Sequence, residues 1–397
     1  MNPGMLTLQA YPFERLRALI EGAPRSDHSP IALTIGEPQH APPASVITVL
    51  TNALQSINTY PATTGSLALR QTIAAWLSRR FALSGVDAQR QVLPVNGTRE
   101  ALFAIAQTLV TPGQQERIIC PNPFYQIYEG AALLAGTTPL LVPATKDTGF
   151  LPDFSALGPD HWEQCELLYL CTPGNPSGAV MPLDDLQALI RLAKEHNFII
   201  ASDECYSEIY PDEARPPAGL LQAAAAMGNH DFEHCLVFHS LSKRSNLPGL
   251  RSGFVAGDAN IIDTFLRYRT YHGCAMPVHH QQASIAAWSD EIHVVANRAT
   301  YAQKFDTIVP ILKPYLDVTA PEAGFYLWPH TPYSDEQFAL DLLTHCNVAV
   351  LPGRYLGREV NGLNPGAQHV RMALVAELEH CVSAAERIAA AMSAGWS

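Results

Sequence analysis

Cys235-Leu-Val-Phe-His-Ser240-Leu-Ser-Lys243-Arg-Ser-Asn-Leu-Pro-Gly-Leu-Arg251-Ser-Gly-Phe254 is the stretch that sets the architecture. Residues 235–239 are largely apolar without two-residue alternation, as a strand buried on both faces requires. A loop rich in hydroxyls follows, carrying one amine (Lys243) and one guanidinium (Arg251), and residues 253–256 read as the next strand. The same grammar extends upstream. Apolar strands are expected at 117–120, 140–142, 167–171 and 198–202, with helices at 66–81, 98–110, 128–134 and 183–195. This alternation predicts an α/β fold whose large domain is a mainly parallel sheet flanked by helices. Ligand sites of such sheets gather at the carboxyl ends of strands, so chemistry is sought in the loops that follow them.

Beyond residue 277 the pattern changes. A helical stretch over 277–312 precedes strands at 324–328, 348–351 and 369–375 and a closing helix at 377–392, which reads as a smaller α+β domain. Near the start, an amphipathic stretch over 11–20 is broken by Gly22-Ala-Pro24 and followed by a strand at 31–35. The expected organisation is an N-terminal segment 1–45 belonging to the small domain, a large domain over 46–285, and a small C-terminal domain over 286–397.

Composition narrows the partners. A chain of 397 residues with 47% hydrophobic and 16% charged residues is globular. A net charge of −12 without a basic stripe argues against nucleic acid, yet leaves room for a small acidic substrate bound by local cations. The eight cysteines are scattered and form no Cys-x-x-Cys pair, so reduced core thiols are expected, with no metal and no disulfide. There is no charged-then-apolar leader pattern and no apolar run of membrane length; a soluble, cytoplasmic protein is expected.

Several strand ends carry reactive groups. Lys243 can form a Schiff base with an aldehyde cofactor while Ser240 and Arg251 hold a phosphate; a surface lysine after a strand is the plainer alternative. Thr172-Pro-Gly-Asn175-Pro-Ser-Gly178 is a tight turn that offers an amide at the sheet's edge, or simply a turn. Asp203, in Ser-Asp203-Glu-Cys-Tyr206, ends a buried strand and needs a cationic partner or a helix N-terminus to cap. Asn96-Gly97-Thr98 opens a helix whose free N–H groups attract an anion, if Thr98 is more than a cap. Tyr125, or its neighbour Phe124, presents a ring that either flanks a planar ligand or packs in the core. Arg371 is alone in an apolar strand and calls for a carboxylate, from a ligand or from an internal salt bridge.

In this order the motifs resemble class I/II aminotransferases of pyridoxal phosphate (PLP) fold type I, across nearly the whole chain. The resemblance implies that Lys243 carries PLP and is the catalytic base, that Asp203 pairs with the pyridine nitrogen, and that Asn175 and Tyr206 address the phenolic oxygen. It assigns the phosphate to Gly97, Thr98, Ser240 and Arg251, and ring stacking to Tyr125, with Phe124 the close alternative. Arg371 and the backbone of Gly36 would grip the substrate α-carboxylate beside Asn175. The Asn175–Pro176 bond is expected to be cis. Asn58-Thr-Tyr60-Pro, followed by Gly65-Ser-Leu-Ala-Leu-Arg70, resembles the segment whose tyrosine reaches the partner subunit's phosphate, which implies a homodimer.

Two further stretches, Tyr11-Pro-Phe-Glu-Arg-Leu-Arg-Ala-Leu with Leu-Thr-Ile-Gly36-Glu-Pro-Gln-His40, and Pro121-Asn-Pro-Phe-Tyr-Gln-Ile-Tyr-Glu-Gly130, are similar to succinyldiaminopimelate transaminases of bacterial lysine biosynthesis. The implied substrates are N-succinyl-L,L-2,6-diaminopimelate and 2-oxoglutarate. A broad-range aspartate, alanine or aromatic aminotransferase, or a PLP β-lyase, would use the same cofactor residues. A substrate with extra carboxylates needs a cation or neutral donors beyond Arg371, and Arg15, Arg17, Arg25, Arg269 and Arg358 are the available candidates.

Overall fold

The computed structural model describes residues 2–114 and 117–396. In chain order its strands are β1 Ile31–Ala32, β2 Val92–Val95, β3 Ile118–Asn122, β4 Leu140–Pro143, β5 Leu167–Cys171, β6 Ile199–Asp203, β7 Cys235–Ser240, β8 Gly253–Gly257, β9 Tyr326–Leu327, β10 Val348–Ala349, β11 Leu351–Pro352 and β12 Val370–Ala373. Seven of them form one sheet in the order β2-β8-β7-β6-β5-β3-β4. It is parallel from β4 to β7, and β8 runs antiparallel to both of its neighbours.

Alternation along these strands explains their continuous apolarity. Leu168, Leu170, Ile200, Val237 and Phe254 pack on one face with the helices Leu67–Phe81, Leu183–His196 and Val278–Ser289. Leu167, Tyr169, Ala201, Leu236 and Val255 pack on the other face with the helices Thr98–Leu109, Ile127–Leu134 and Ala259–His272. Each large apolar side chain buried this way contributes roughly 1.5–3 kcal/mol, so neither face tolerates a polar repeat.

A separate core lies in the C-terminal part, where β11-β12-β9 form an antiparallel sheet against the helices Ile292–Leu312 and Leu378–Ser393. The N-terminal segment joins it through β1, which pairs in parallel with β10. Leu16 packs beside Trp328, Leu351 and Tyr355. Among the described residues no helix is long and apolar enough to cross a membrane.

Five features differ from the sequence reading. Lys243 lies on a one-turn helix, Leu241–Arg244, rather than in a loop, because the Ser240 hydroxyl accepts from Ser242 N–H and nucleates the turn. The helix expected over 277–312 breaks at Asp290-Glu291, where Asp290 accepts from Ile292 N–H at 2.8 Å and faces His293 Nδ1 at 2.9 Å. Residue 285, where the large domain was expected to end, falls inside the first of these helices, and Ala287 and Trp288 beyond it still pack on the large sheet. The strand expected at 348–351 is two strands, since the chain leaves β1 at Ala349 and pairs with β12 from Leu351. The helices Ala44–Asn52, Ala259–His272 and Asp335–Asp341 were not anticipated, although the Asp258 cap of the second is legible.

Candidate active site

The carboxyl ends of β5, β6 and β7 open onto a cleft of about 430 Å³ closed on its far side by the small domain. Ten residues singled out from sequence line it: Gly36, Thr98, Tyr125, Asn175, Asp203, Tyr206, Ser240, Lys243, Arg251 and Arg371. Gly97 and Tyr60 do not. Gly97 sits directly behind Arg251, with φ +85°, and a Cβ there would lie 2.5 Å from Arg251 Nη2. Tyr60 is fully exposed, beside a surface hollow shared with Ile57, Pro277 and His279.

Lys243 projects from its one-turn helix into the cleft, where its Nζ donates to the carbonyl of Gly36 and lies 5.3 Å from the Phe325 ring centre. Burial pushes its ammonium down to about 8; nearby Cys205 and Glu37 oppose this, and the charges of Arg371 and Arg99 add to it. Gly36 must be glycine for close packing, since a Cβ would overlap the Tyr326 hydroxyl.

Asp203 is buried at the end of β6, and its two oxygens accept from neutral donors, the Tyr128 hydroxyl at 2.7 Å and Cys205 N–H at 3.3 Å. Burial raises its carboxyl above the usual range, and those hydrogen bonds and His239 offset it only in part. Such a carboxylate gains most from a cation brought to it. Tyr206 is buried with its hydroxyl 3.0 Å from that of Tyr326. Ser240 Oγ sits 2.8 Å from Ser242 Oγ, and Arg251 leans over Gly97 with one Nη1 hydrogen bond to Pro248 O. Thr98 Oγ1 lies 3.0 Å from Cys205 Sγ.

The two open choices separate cleanly. Phe124 is buried in the core while Tyr125 faces the cleft. Among the described residues Arg371 forms no internal salt bridge: its Nη1 donates to Asn175 Oδ1 and its Nη2 to Thr34 O, both at 2.9 Å, and its Nε finds no partner there. The guanidinium lies over the Tyr326 ring at 4.4 Å. Asn175–Pro176 is cis.

Two contributors were missed. Tyr128 holds Asp203 from below while stacking on Tyr169 at 4.7 Å; the signal was a tyrosine in a buried helix, whose hydroxyl needs a partner. Arg99 lines the cleft, its Nε donating to the Tyr125 hydroxyl at 2.6 Å. Its place in the first turn after Gly97-Thr98 was the available clue. The arginines considered from sequence lie outside the cleft lining: Arg269 pairs with Glu100 and Arg358 with Glu129, each at 2.6 Å, and Arg15 covers the Tyr355 ring.

A lysine amine, an arginine-backed glycine turn and a buried carboxylate at the strand ends of this two-domain fold are the makings of an aminotransferase. The chain belongs to the class I and II aminotransferase family, whose profile matches residues 29–388, and members of that family depend on PLP. An aminotransferase from Neisseria meningitidis has the same fold, with a TM-score of 0.94 and 46% identity over 98% of this chain and 99% of that one. The LL-diaminopimelate aminotransferase of Dehalococcoides mccartyi is 33% identical over 338 residues, 84% of this chain and 85% of that enzyme. A probable N-succinyldiaminopimelate aminotransferase from Thermus thermophilus superposes with a TM-score of 0.83 and 27% identity, covering 98% of this chain and all of that one.

Proposed function

We propose that this aminotransferase exchanges an amino group between N-succinyl-L,L-2,6-diaminopimelate and 2-oxoglutarate, a step of bacterial lysine biosynthesis for which the name of the Thermus thermophilus neighbour offers support. The observation that supports an acidic substrate is Arg99, a guanidinium facing the same cleft as Arg371 and separate from Arg251, which is assigned to the phosphate. A donor with a distal carboxylate gains from a cation beyond Arg371, which favours diaminopimelate-type and other acidic donors over alanine or phenylalanine.

The cleft fits PLP group by group. Lys243 supplies the amine for its aldehyde, and buried Asp203 supplies the anion for a protonated pyridine nitrogen. Thr98, Ser240 and Arg251, with Gly97 making room behind Arg251, would hold the phosphate, Tyr125 would flank the ring, and Asn175 and Tyr206 would address the phenolic oxygen. Tyr60 completes the phosphate site from a second copy in a cytoplasmic homodimer. When bound, PLP supplies the aldehyde that accepts the amino group and an electron-poor ring that acidifies the substrate Cα.

The chain's own residues do the rest. Arg371 and Gly36 fix the α-carboxylate, which points the Cα–H bond toward Lys243 Nζ. With its affinity for protons near neutrality, Lys243 takes the Cα proton as a base and delivers it on the cofactor side as an acid. Asp203 would keep the pyridine nitrogen of bound PLP protonated, and Tyr128 holds Asp203 through its 2.7 Å hydrogen bond.

A second reading, transamination of L,L-diaminopimelate itself, is favoured by the relatives that carry that name. The test is a set of single half-reactions followed by cofactor absorbance with N-succinyl-L,L-diaminopimelate, L,L-diaminopimelate, glutamate, aspartate, alanine and phenylalanine. Fast conversion by the succinylated donor and glutamate is expected. Preference for the unmodified diamine would move the assignment to the second reading, and preference for aspartate, alanine or phenylalanine would replace both with a broad-range enzyme.

A further inference from the structure

Among the buried charges outside the cleft, Lys304 is held by neutral acceptors alone. Lys304, on the helix Ile292–Leu312, is wholly buried, and every hydrogen-bond partner of its ammonium is a neutral acceptor. Nζ donates to Leu374 O and to His40 Nε2, both at 2.8 Å, and to Ala376 O; the Tyr301 ring centre lies 5.0 Å away. His40 can accept at Nε2 only as the neutral ring protonated on Nδ1, the nitrogen that faces Glu377 at 3.5 Å. A buried ammonium without a carboxylate partner is costly, and burial pushes this one down to about 8. A leucine or methionine would fill the space at lower cost, so the position calls for an explanation.

The acceptors show what it holds together. Leu374 and Ala376 continue the strand that carries Arg371, while His40 ends the segment that supplies Thr34 O to Arg371 and Gly36 O to Lys243. The two segments already touch through Ala373 N–H to Leu33 O at 2.8 Å and Gln39 N–H to Val375 O at 3.3 Å. Lys304 ties them at the end remote from the cleft.

We propose that Lys304 is a positioning residue for substrate carboxylate binding: it clamps residues 33–40 against 371–376, fixing Arg371 relative to the backbone of Gly36. The inference rests on the reading of Arg371 and Gly36 as the α-carboxylate site. Lys304 touches neither substrate nor cofactor; its effect reaches them only through the spacing of those two segments.

The test uses the PLP-loaded enzyme and two probes. Glutarate, a dicarboxylate that cannot react, reports carboxylate binding by calorimetry. Methoxyamine, which captures the cofactor's aldehyde carbon but has no carboxylate, reports the rest of the site. In Lys304→Met the glutarate Kd and the glutamate KM should rise about tenfold, the loss expected when a charge-assisted hydrogen-bond set is removed, with kcat changed less than about twofold. The absorption maximum and the methoxyamine rate should stay as in the parent. If Lys304→Met does not fold, the His40 pair decides: His40→Gln, which retains an acceptor, should hold the glutarate Kd within about threefold, and His40→Leu should not. Arg371→Gln separates the two layers of the argument. If it leaves glutarate binding intact, the carboxylate reading falls and the clamp with it. If it abolishes binding while Lys304→Met, or both His40 variants, leave it unchanged, the clamp alone is wrong.

Discussion

Arg371 Nη1 donates to Asn175 Oδ1 across 2.9 Å, so the lone arginine of a small-domain strand is held by the loop that follows β5 of the large sheet. The bond also fixes the guanidinium plane over Tyr326. With Asn175→Ala, one Nη donor of Arg371, a residue only 4% exposed, loses its partner. On the proposed reading, KM for both glutamate and 2-oxoglutarate should rise about five- to thirtyfold, the equivalent of about 1–2 kcal/mol. Steady-state kinetics with each substrate varied in turn checks this, and an unchanged KM would remove Asn175 from the carboxylate site.

Tyr128→Phe removes the 2.7 Å hydrogen bond to Asp203 and leaves the ring stack on Tyr169 in place. The carboxyl, already raised by burial, should rise further and hold a pyridinium less well. A fall in kcat of roughly tenfold and faster loss of PLP on dilution are expected, on the scale of one buried hydrogen bond to a charged group. Retention of both within twofold would mean that Asp203 is aimed by its backbone contacts alone.

Lys243 sets a pH dependence. Its ammonium form is disfavoured chiefly by burial, so below about 8 it is mainly protonated and above about 8 mainly the nucleophilic amine. An ordinary lysine would be well under about 1% amine at pH 8. The rate of PLP uptake by cofactor-free protein should therefore climb with pH and level off above about 8, as stopped-flow absorbance would record. A rate still rising steeply at pH 10 would indicate a lysine with an ordinary pKa.

Gly97 occupies a backbone region that side chains avoid, with φ +85° and ψ 152°, and faces Arg251 Nη2. Gly97→Ala should cost about 1–3 kcal/mol in backbone strain and displace Arg251. A lower unfolding midpoint, together with a PLP dissociation constant raised at least about tenfold, is the expected pair of results from thermal melts and spectroscopic titration.

Arg99→Gln keeps a donor to Tyr125 and removes the charge. For N-succinyl-L,L-diaminopimelate kcat/KM should fall roughly ten- to a hundredfold, and for alanine by less than about threefold, as loss of one ionic contact predicts. Equal losses for both donors would point to a role in holding Tyr125 in place.

The strands β3 to β8 and the lysine, asparagine, aspartate and arginine at their ends were legible because each rests on local information. A strand covered on both faces is apolar throughout, and the loop after it carries the groups that such a sheet exposes. The choice between Tyr125 and Phe124 was not local. Both rings follow the same strand, and only the packing of Phe124 against the body of the domain sends its neighbour into the cleft. The break at Asp290 was a cap hidden in a continuous helical pattern.

By itself, the order of residues determined the α/β architecture, the family and the place where its chemistry gathers, because periodicity and strand-end motifs are properties of neighbouring residues. Tertiary structure decided that Arg99 joins Arg251 and Arg371 in the cleft, what steadies Asp203, and how Lys304 ties His40 to the strand of Arg371. Those relationships join residues up to hundreds of positions apart, and a guanidinium, hydroxyl or ammonium carries no mark in the sequence of the partner that folding will bring to it.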